Sequence, residues 1–293
     1  MKFGSNENIE NIDFKLPPDH SKNKEILRST KRRKTINLFV GCAKWNKQDL
    51  KNFYPRGTKD ELAYYSSQFN SIEMNTTFYR MPEKDQITTW YKKVPSGFQF
   101  YPKISQNISH FRRLNDVQPL VEEYCDAISN FKEKLGMTFL QMNNNFGYKN
   151  YDRLKSFVEN FPKAIPLAIE LRNTQWFNDE HIASEIYELF EKNRVTNVIV
   201  DTAGRRDLLH MRLTTPKVFI RYVGSNDPES DRKRLDDWIE RLKTWIGQGL
   251  REINFFVHQN IEKESPLLSA YLIERANKEF DLSLKIPQTN PVS

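Results

Sequence analysis

A single (β/α)8 TIM-type barrel, an α/β fold with parallel strands and a flexible basic N-terminal extension, is the architecture this chain predicts. Three observations predict it. Eight short β-type runs follow one another and close on Cys42, Glu73, Lys103, Gln141, Glu170, Asp201, Arg221 and His258. Seven of the eight segments behind them are long enough to hold a helix, which is the alternation of a parallel sheet with helical crossovers. The length, 293 residues, fits one barrel of roughly 250 residues with tails. Because the carboxyl ends of the strands form the active face of such a barrel, the polar residues that close the runs mark where chemistry is expected.

The elements follow in order. Residues 1–35 combine Asn, Asp, Lys and the Pro17-Pro18 pair with few aromatics, the composition of a flexible tail. The first strand covers 36–40 and breaks at Gly41. A helix over 60–69 leads to strand 71–74, and a helix over 84–93 to strand 98–103. Apolar residues at helical spacing run through 116–135, and strand 137–141 follows Gly136. Helix 151–161 stops at Pro162 and strand 167–171 follows Pro166. Helix 179–192 begins at Asp179, where a carboxylate suits the unsatisfied amides. Strand 196–200 runs to Asp201, and the next connection, 202–217, reads as a loop or short helical turn. Strand 218–222, helix 231–246, strand 252–257 and helix 266–280 complete the series. Runs such as residues 197–200 and 253–257 are almost continuously apolar, as a sheet buried on both faces requires. One barrel over 36–285 and a C-terminal tail over 286–293 are the domain expectation.

Charge and cysteine content narrow the function classes. The net charge is +7, of which residues 1–35, with nine Lys/Arg against five Asp/Glu, carry +4. The peak is Lys31, Arg32, Arg33 and Lys34, a cluster able to touch phosphate backbones, although a solvated tail is the plainer reading. Cys42 and Cys125 are the two cysteines, without the spacing of a zinc knuckle or disulfide framework. With no apolar leader at the start and no apolar run near the ~18 residues of a membrane span, a soluble cytoplasmic protein without a membrane partner is expected.

Candidate chemistry sits at the strand ends. Alternation places Glu73 and Asn75 on one face, and Glu170 with Arg172 repeats the arrangement. Asp201 follows an apolar strand directly. Glu73, Glu170 and Asp201 would thus put three carboxylates on three strand ends, as a catalytic acid/base set or, with Gln141, as oxygen ligands for Mg²⁺ or Mn²⁺. Lys103, Arg172 and Arg221 supply positive charge for an anionic ligand. The turn Gly224-Ser225-Asn226 after Arg221 offers backbone amides for a phosphate. Trp45, Tyr54, Phe78, Tyr79 and Trp176 form a possible aromatic rim for a sugar or base, and His110 and His258 are the histidines near strand ends.

These segments resemble the YecE-like family, the domain of unknown function 72. The resemblance spans roughly residues 38–280 and rests on the run EMNTTFYRMP from Glu73 to Pro82, Lys103 with Ile108, Ser109 and His110, and Gln141. It continues through ELR from Glu170 to Arg172 with Trp176 and Phe177, Asp201, RYVG from Arg221 to Gly224, and His258 with Ser265 and Pro266. It implies a TIM-type barrel, in agreement with the strand count, and implies no reaction. Two positions depart from the pattern: Asn173 stands where relatives often have His, and Met142 with three asparagines follows Gln141 where a Pro is common. The expected function is an enzyme acting on a small polar ligand, sugar-like or phosphorylated. A nucleic-acid-binding protein or nuclease using the basic tail and aromatic rim, and a non-catalytic ligand-binding barrel, are the alternatives.

Overall fold

Strand formation follows the apolar, β-branched and aromatic runs, and several of the helices between them start at a capping carboxylate. The computed structural model describes Gly4 and residues 8–30 and 35–289. Its strands are β1 (Asn37–Cys42), β2 (Ser71–Met74), β3 (Gln99–Pro102), β4 (Thr138–Gln141), β5 (Leu167–Glu170), β6 (Thr196–Thr202), β7 (Lys217–Val223) and β8 (Glu252–His258). The helices are α1 (Asn23–Arg28), α2 (Glu61–Gln68), α3 (Thr76–Tyr79), α4 (Lys84–Lys93), α5 (Gln118–Ile128), α6 (Tyr151–Asn160), α7 (Glu180–Lys192), α8 (Pro228–Gln248) and α9 (Ser265–Phe280). Asp60, Asp179 and Asp227 cap α2, α7 and α8 by accepting backbone amides of the first turn, which satisfies donors that the helix itself leaves unpaired. The helix predicted over 116–135 stops at Ile128 and tightens into a 3-10 turn, Ser129–Lys134, with Lys132 in the left-handed region at φ 51°.

All pairings are parallel. Six strands form one curled sheet in the order β1-β8-β7-β6-β5-β4, and β2 pairs with β3 apart from it. The hydrogen-bonded pairing therefore gives a curled parallel six-stranded sheet and a separate two-stranded pair rather than one continuous eight-stranded ladder, and the reason lies at two seams. Between β3 and β4 only the bridges Phe100–Leu135 and Lys103–Phe139 are made. Between β1 and β2 side chains replace the ladder: Asn70 accepts from the Val40 amide at 2.9 Å and donates to the Leu38 carbonyl at 2.8 Å. The Tyr65 hydroxyl accepts from the Cys42 amide at 2.8 Å and donates to the Ser71 carbonyl at 3.0 Å. Gly41 permits this approach, because a Cβ there would stand 2.3 Å from the Ser71 carbonyl oxygen.

Inside the curl, Tyr101, Met137, Phe139, Ala168, Val198, Val200, Phe219 and Phe256 pack together with Phe39 against them. The Tyr101 hydroxyl reaches the Asn254 side-chain carbonyl at 2.5 Å, so its one polar atom is satisfied in this apolar layer. Two outer cores lie between strands and helices, one built around Tyr65, Phe100, Phe131 and Phe190, the other around Trp238, Trp245 and Phe255.

The expected free N-terminal extension is corrected for residues 8–30, which are held on this body. Leu27 of α1 is fully buried, and the Asn23 side chain donates to the Met211 carbonyl at 2.8 Å and accepts from the Leu213 amide at 2.9 Å. Arg206 donates to the Phe14 and Lys15 carbonyls. Apolar anchors and paired backbone groups thus outweigh the polar composition. The basic cluster at residues 31–34 lies outside the described residues. At the other end the Gln288 amide donates to Gln68 Oε1 at 3.1 Å, so part of the predicted C-terminal tail lies against α2. No helix among the described residues is long and apolar enough to cross a membrane.

Candidate functional site

Period-two alternation builds the site. Residues two positions beyond the inner-layer Tyr101, Phe139, Ala168, Phe219 and Phe256 must face the same way. They are Lys103, Gln141, Glu170, Arg221 and His258, and Glu73 on β2 joins them. Arg221 is the hub. Its Nε and Nη2 donate to the two Glu73 oxygens at 2.8 and 2.9 Å, and its Nη1 donates to Glu170 Oε2 at 2.6 Å. Arg172 Nε pairs with Glu170 Oε1. Asn75 donates to Glu73 Oε1 at 3.0 Å, and His258 Nε2 pairs with Glu73 Oε2 at 2.9 Å. Lys103 Nζ donates to Gln141 Oε1 at 2.6 Å and sits 4.1 Å from the Phe78 ring centroid.

This layer is the floor of an open cavity of about 1250 Å³. Asn75, Tyr79, Lys103, Gln141, Arg172, Arg221 and His258 all line it. Glu73 and Glu170 are buried at 0% and 1% exposure and lie beneath it as counter-ions. Burial alone would raise their pKa values, but Arg221 and His258 hold Glu73 well below the usual carboxylate range, and Arg172 with Arg221 brings Glu170 to about 2. Burial pushes Lys103 the other way: with Arg221 beside it and no carboxylate in ion-pair contact, its amine falls to about 7, despite partial support from Glu73 and Glu170.

That shift has a sign that can be measured. Unfolded lysine titrates near 10.5 and folded Lys103 near 7, so between these values the unfolded chain binds the extra proton and stability rises with pH. Urea unfolding across this window is expected to show the wild type gaining on Lys103→Met as pH rises. Parallel curves would mean that the folded amine remains charged.

Several sequence expectations are corrected here. Asp201 is not in the floor: Val198 and Val200 face the inner layer, so Asp201 points to the helices. There it accepts from Arg234 Nη2 and Trp238 Nε1 at 2.8 Å each, and pairs with Arg206. With Asp201 turned away and both remaining carboxylates engaged by guanidinium groups, the donor set does not suit Mg²⁺ or Mn²⁺. Among the described residues no three His, Cys, Asp or Glu side chains converge as a metal site. The turn after β7 is not an open anion cradle either. The Ser225 amide and hydroxyl donate to Asp231 Oδ1 at 2.8 and 2.9 Å, and the Asn226 amide donates to Gln259 Oε1 at 3.1 Å.

The aromatic rim is mostly packing. Trp176 is fully buried and donates to the Phe146 carbonyl at 2.7 Å. Trp45 meets Trp90 edge-on at 5.9 Å, outside the cavity wall, and Tyr54 donates to the Trp45 carbonyl. Only Tyr79 of that group, 66% exposed, lines the cavity. His110 sits edge-on to Phe78 at 4.9 Å, with its Nδ1 2.9 Å from the Ser109 hydroxyl. Burial, followed by the charges of Lys103 and Arg172, lowers its pKa to about 4. Sequence reasoning missed Lys44, Lys51 and Lys263, which line the cavity wall together with the acids Asp49, Asp227 and Glu262, Lys44 pairing with Asp49 at 3.0 Å. Their place in connecting loops gave no periodic signal.

A parallel α/β barrel-like fold carrying a buried, charged strand-end site is the class that fold and geometry define. A family model described as protein of unknown function DUF72 matches residues 39–291, and the chain belongs to that family. It is 25% identical over 229 residues to the UPF0759 protein YecE of Escherichia coli (strain K12), covering 71% of this chain and 82% of that protein. It is 28% identical over 151 residues to the UPF0759 protein YunF of Bacillus subtilis (strain 168), covering 48% of this chain and 52% of that one. Among solved structures, a DUF72 family protein from Enterococcus faecalis V583 aligns with a TM-score of 0.67 at 20% identity, over 86% of this chain and all of that one. One from Thermotoga maritima MSB8 gives 0.65 at 23% identity, over 81% and 98%. These structures share the fold.

Proposed function

We propose that this chain is an enzyme whose substrate is a small anionic compound, phosphorylated or carboxylated, bound on the floor of the strand-end cavity. One observation carries the reading. Among the described residues of the floor, three cationic side chains, Lys103, Arg172 and Arg221, face the cavity above two carboxylates, Glu73 and Glu170. The floor therefore holds surplus positive charge whenever Lys103 is protonated, and an anion in a partly desolvated site is attracted strongly. Arg172, paired with Glu170 through Nε, carries a guanidinium of the kind that matches phosphate or carboxylate. His258, tethered to Glu73, and Lys103 are the groups placed to move protons. Glu73 and Glu170 orient and charge-balance their neighbours. The β2–β3 pair is read as completing the ring of eight strands around this floor. Two free, buried cysteines, Cys42 and Cys125, suit a reducing cytoplasm.

Calorimetric titration at low salt with inorganic phosphate and glucose 6-phosphate tests the reading. Saturable binding is expected, weakened about 10-fold or more in Arg172→Gln, the scale of one charge-assisted hydrogen bond. Absence of heat with both anions, or equal binding by the variant, would overturn it. Binding without turnover of any anion screened would leave a ligand-binding barrel.

A further inference from the structure

Among the described residues, Lys103 is the cation of the floor that holds no acid. Arg221 grips Glu73 and Glu170, Arg172 grips Glu170, and His258 takes a second contact on Glu73. Lys103 Nζ has instead an uncharged amide oxygen, Gln141 Oε1 at 2.6 Å, and the face of Phe78 at 4.1 Å. A lysine retained for stability or for a permanent charge is normally paired when it is buried. This one is 5% exposed, yet its side chain forms part of the cavity wall. It is thus buried, unpaired with a carboxylate and reachable from the cavity.

We propose that Lys103 is an imine-forming nucleophile, and that the substrate class is an aldehyde or ketone bearing a carboxylate or phosphate. The neutral amine attacks the carbonyl carbon, and the carbonyl oxygen takes a proton to give a carbinolamine. That hydroxyl leaves as water after a second protonation while nitrogen releases one of its own protons, leaving a protonated imine. The sum is amine, carbonyl compound and one proton giving iminium and water, with no oxidant or reductant. The geometry supplies each part. Burial against Phe78 and the charge of Arg221 keep much of the amine neutral near pH 7, which activates a lysine. Arg172 in the cavity wall is placed to bind the substrate's anionic group. His258 on its Glu73 tether is an acid–base group of the floor that opens to the same cavity. An iminium in place of a carbonyl draws electrons from the adjacent carbon, so the reactions it serves are proton transfer or carbon–carbon bond cleavage beside a carbonyl.

The inference rests on the anion-site reading above, and the test separates the two. Wild-type protein is incubated with glyoxylate and sodium cyanoborohydride at pH 7, and reduced adducts are mapped by peptide mass spectrometry. Free phosphate is added in a parallel sample. Half-neutral at this pH, Lys103 is expected to be labelled about 100-fold faster than exposed lysines, of which about one in 10³ is neutral. Its labelling should halve near pH 7, be slowed by phosphate, and disappear in Lys103→Arg, with circular dichroism confirming the fold. Labelling spread over surface lysines with Lys103 unmodified, while phosphate still binds, would overturn the imine and leave the anion site standing. Absence of both the adduct and phosphate binding would overturn both.

Discussion

Arg221→Met is expected to cost about 3–5 kcal/mol at neutral pH, the penalty for removing one partner of a buried ion network. The loss is large because one guanidinium serves two acids. Without it Glu73 retains His258 and Asn75, and Glu170 retains Arg172 with a weak 3.4 Å donation from Gln141. The sign with pH follows from the depressed carboxylates. Glu170 titrates near 2 when folded and near 4.5 unfolded, and Glu73 shifts in the same direction. Their contribution is complete above about 4.5 and is lost as pH falls towards 2. Wild type and variant should therefore converge in acid. Urea unfolding at neutral pH and near pH 3 reads both effects. Adding Glu73→Gln to the variant should restore at least about half of the loss, since an uncompensated charge is then gone. A single variant within about 1 kcal/mol of wild type at neutral pH would mean that Arg221 does not bind the two carboxylates together.

Asp201→Asn is the second large effect, and it separates a structural pin from a catalytic acid. Asp201 joins β6 to α8 through Arg234 and Trp238, and to the N-terminal segment through Arg206. The Arg234 guanidinium also stands 4.6 Å from the Phe14 ring centroid and 4.4 Å from that of Tyr222. Neutralising Asp201 leaves Arg234 with only the 3.3 Å contact to Asp231 as a charge partner. A loss of about 3 kcal/mol is expected, with earlier proteolytic cleavage around residues 8–19 because Arg206 is released. Phosphate affinity of the folded fraction should be unchanged. Retained stability with abolished binding would return Asp201 to the site.

The contrast between these residues shows where sequence reasoning reached. Arg221 stands two residues past Phe219, and Lys103, Gln141, Glu170 and His258 likewise each stand two residues past an inner-layer side chain. Their shared direction was therefore legible once strands were assigned. Asp201 stands one residue past the inner-layer Val200 and so has the opposite parity, which the apolar run Val198, Ile199 and Val200 does not disclose because β6 is buried on both faces. The seams were equally hidden. Asn70 and Tyr65 look like ordinary loop and helix residues, and only their positions across β1 and β2 reveal that they stand in for a ladder. The docking of residues 8–30 escaped composition because a few anchors such as Asn23 and Leu27 outweigh many polar neighbours.

By itself the sequence determined the eight parallel strands, their order along the chain and the polar residues that end them, because strand and helix periodicities are local properties of the chain. Tertiary structure alone decided which acid faces which cation. Ion pairing between Arg221 and Glu73, 148 residues apart, depends on how the curled sheet brings distant strand ends together. The same closure, by assigning every acid of the floor to a guanidinium or imidazole, left Lys103 as its amine without a carboxylate.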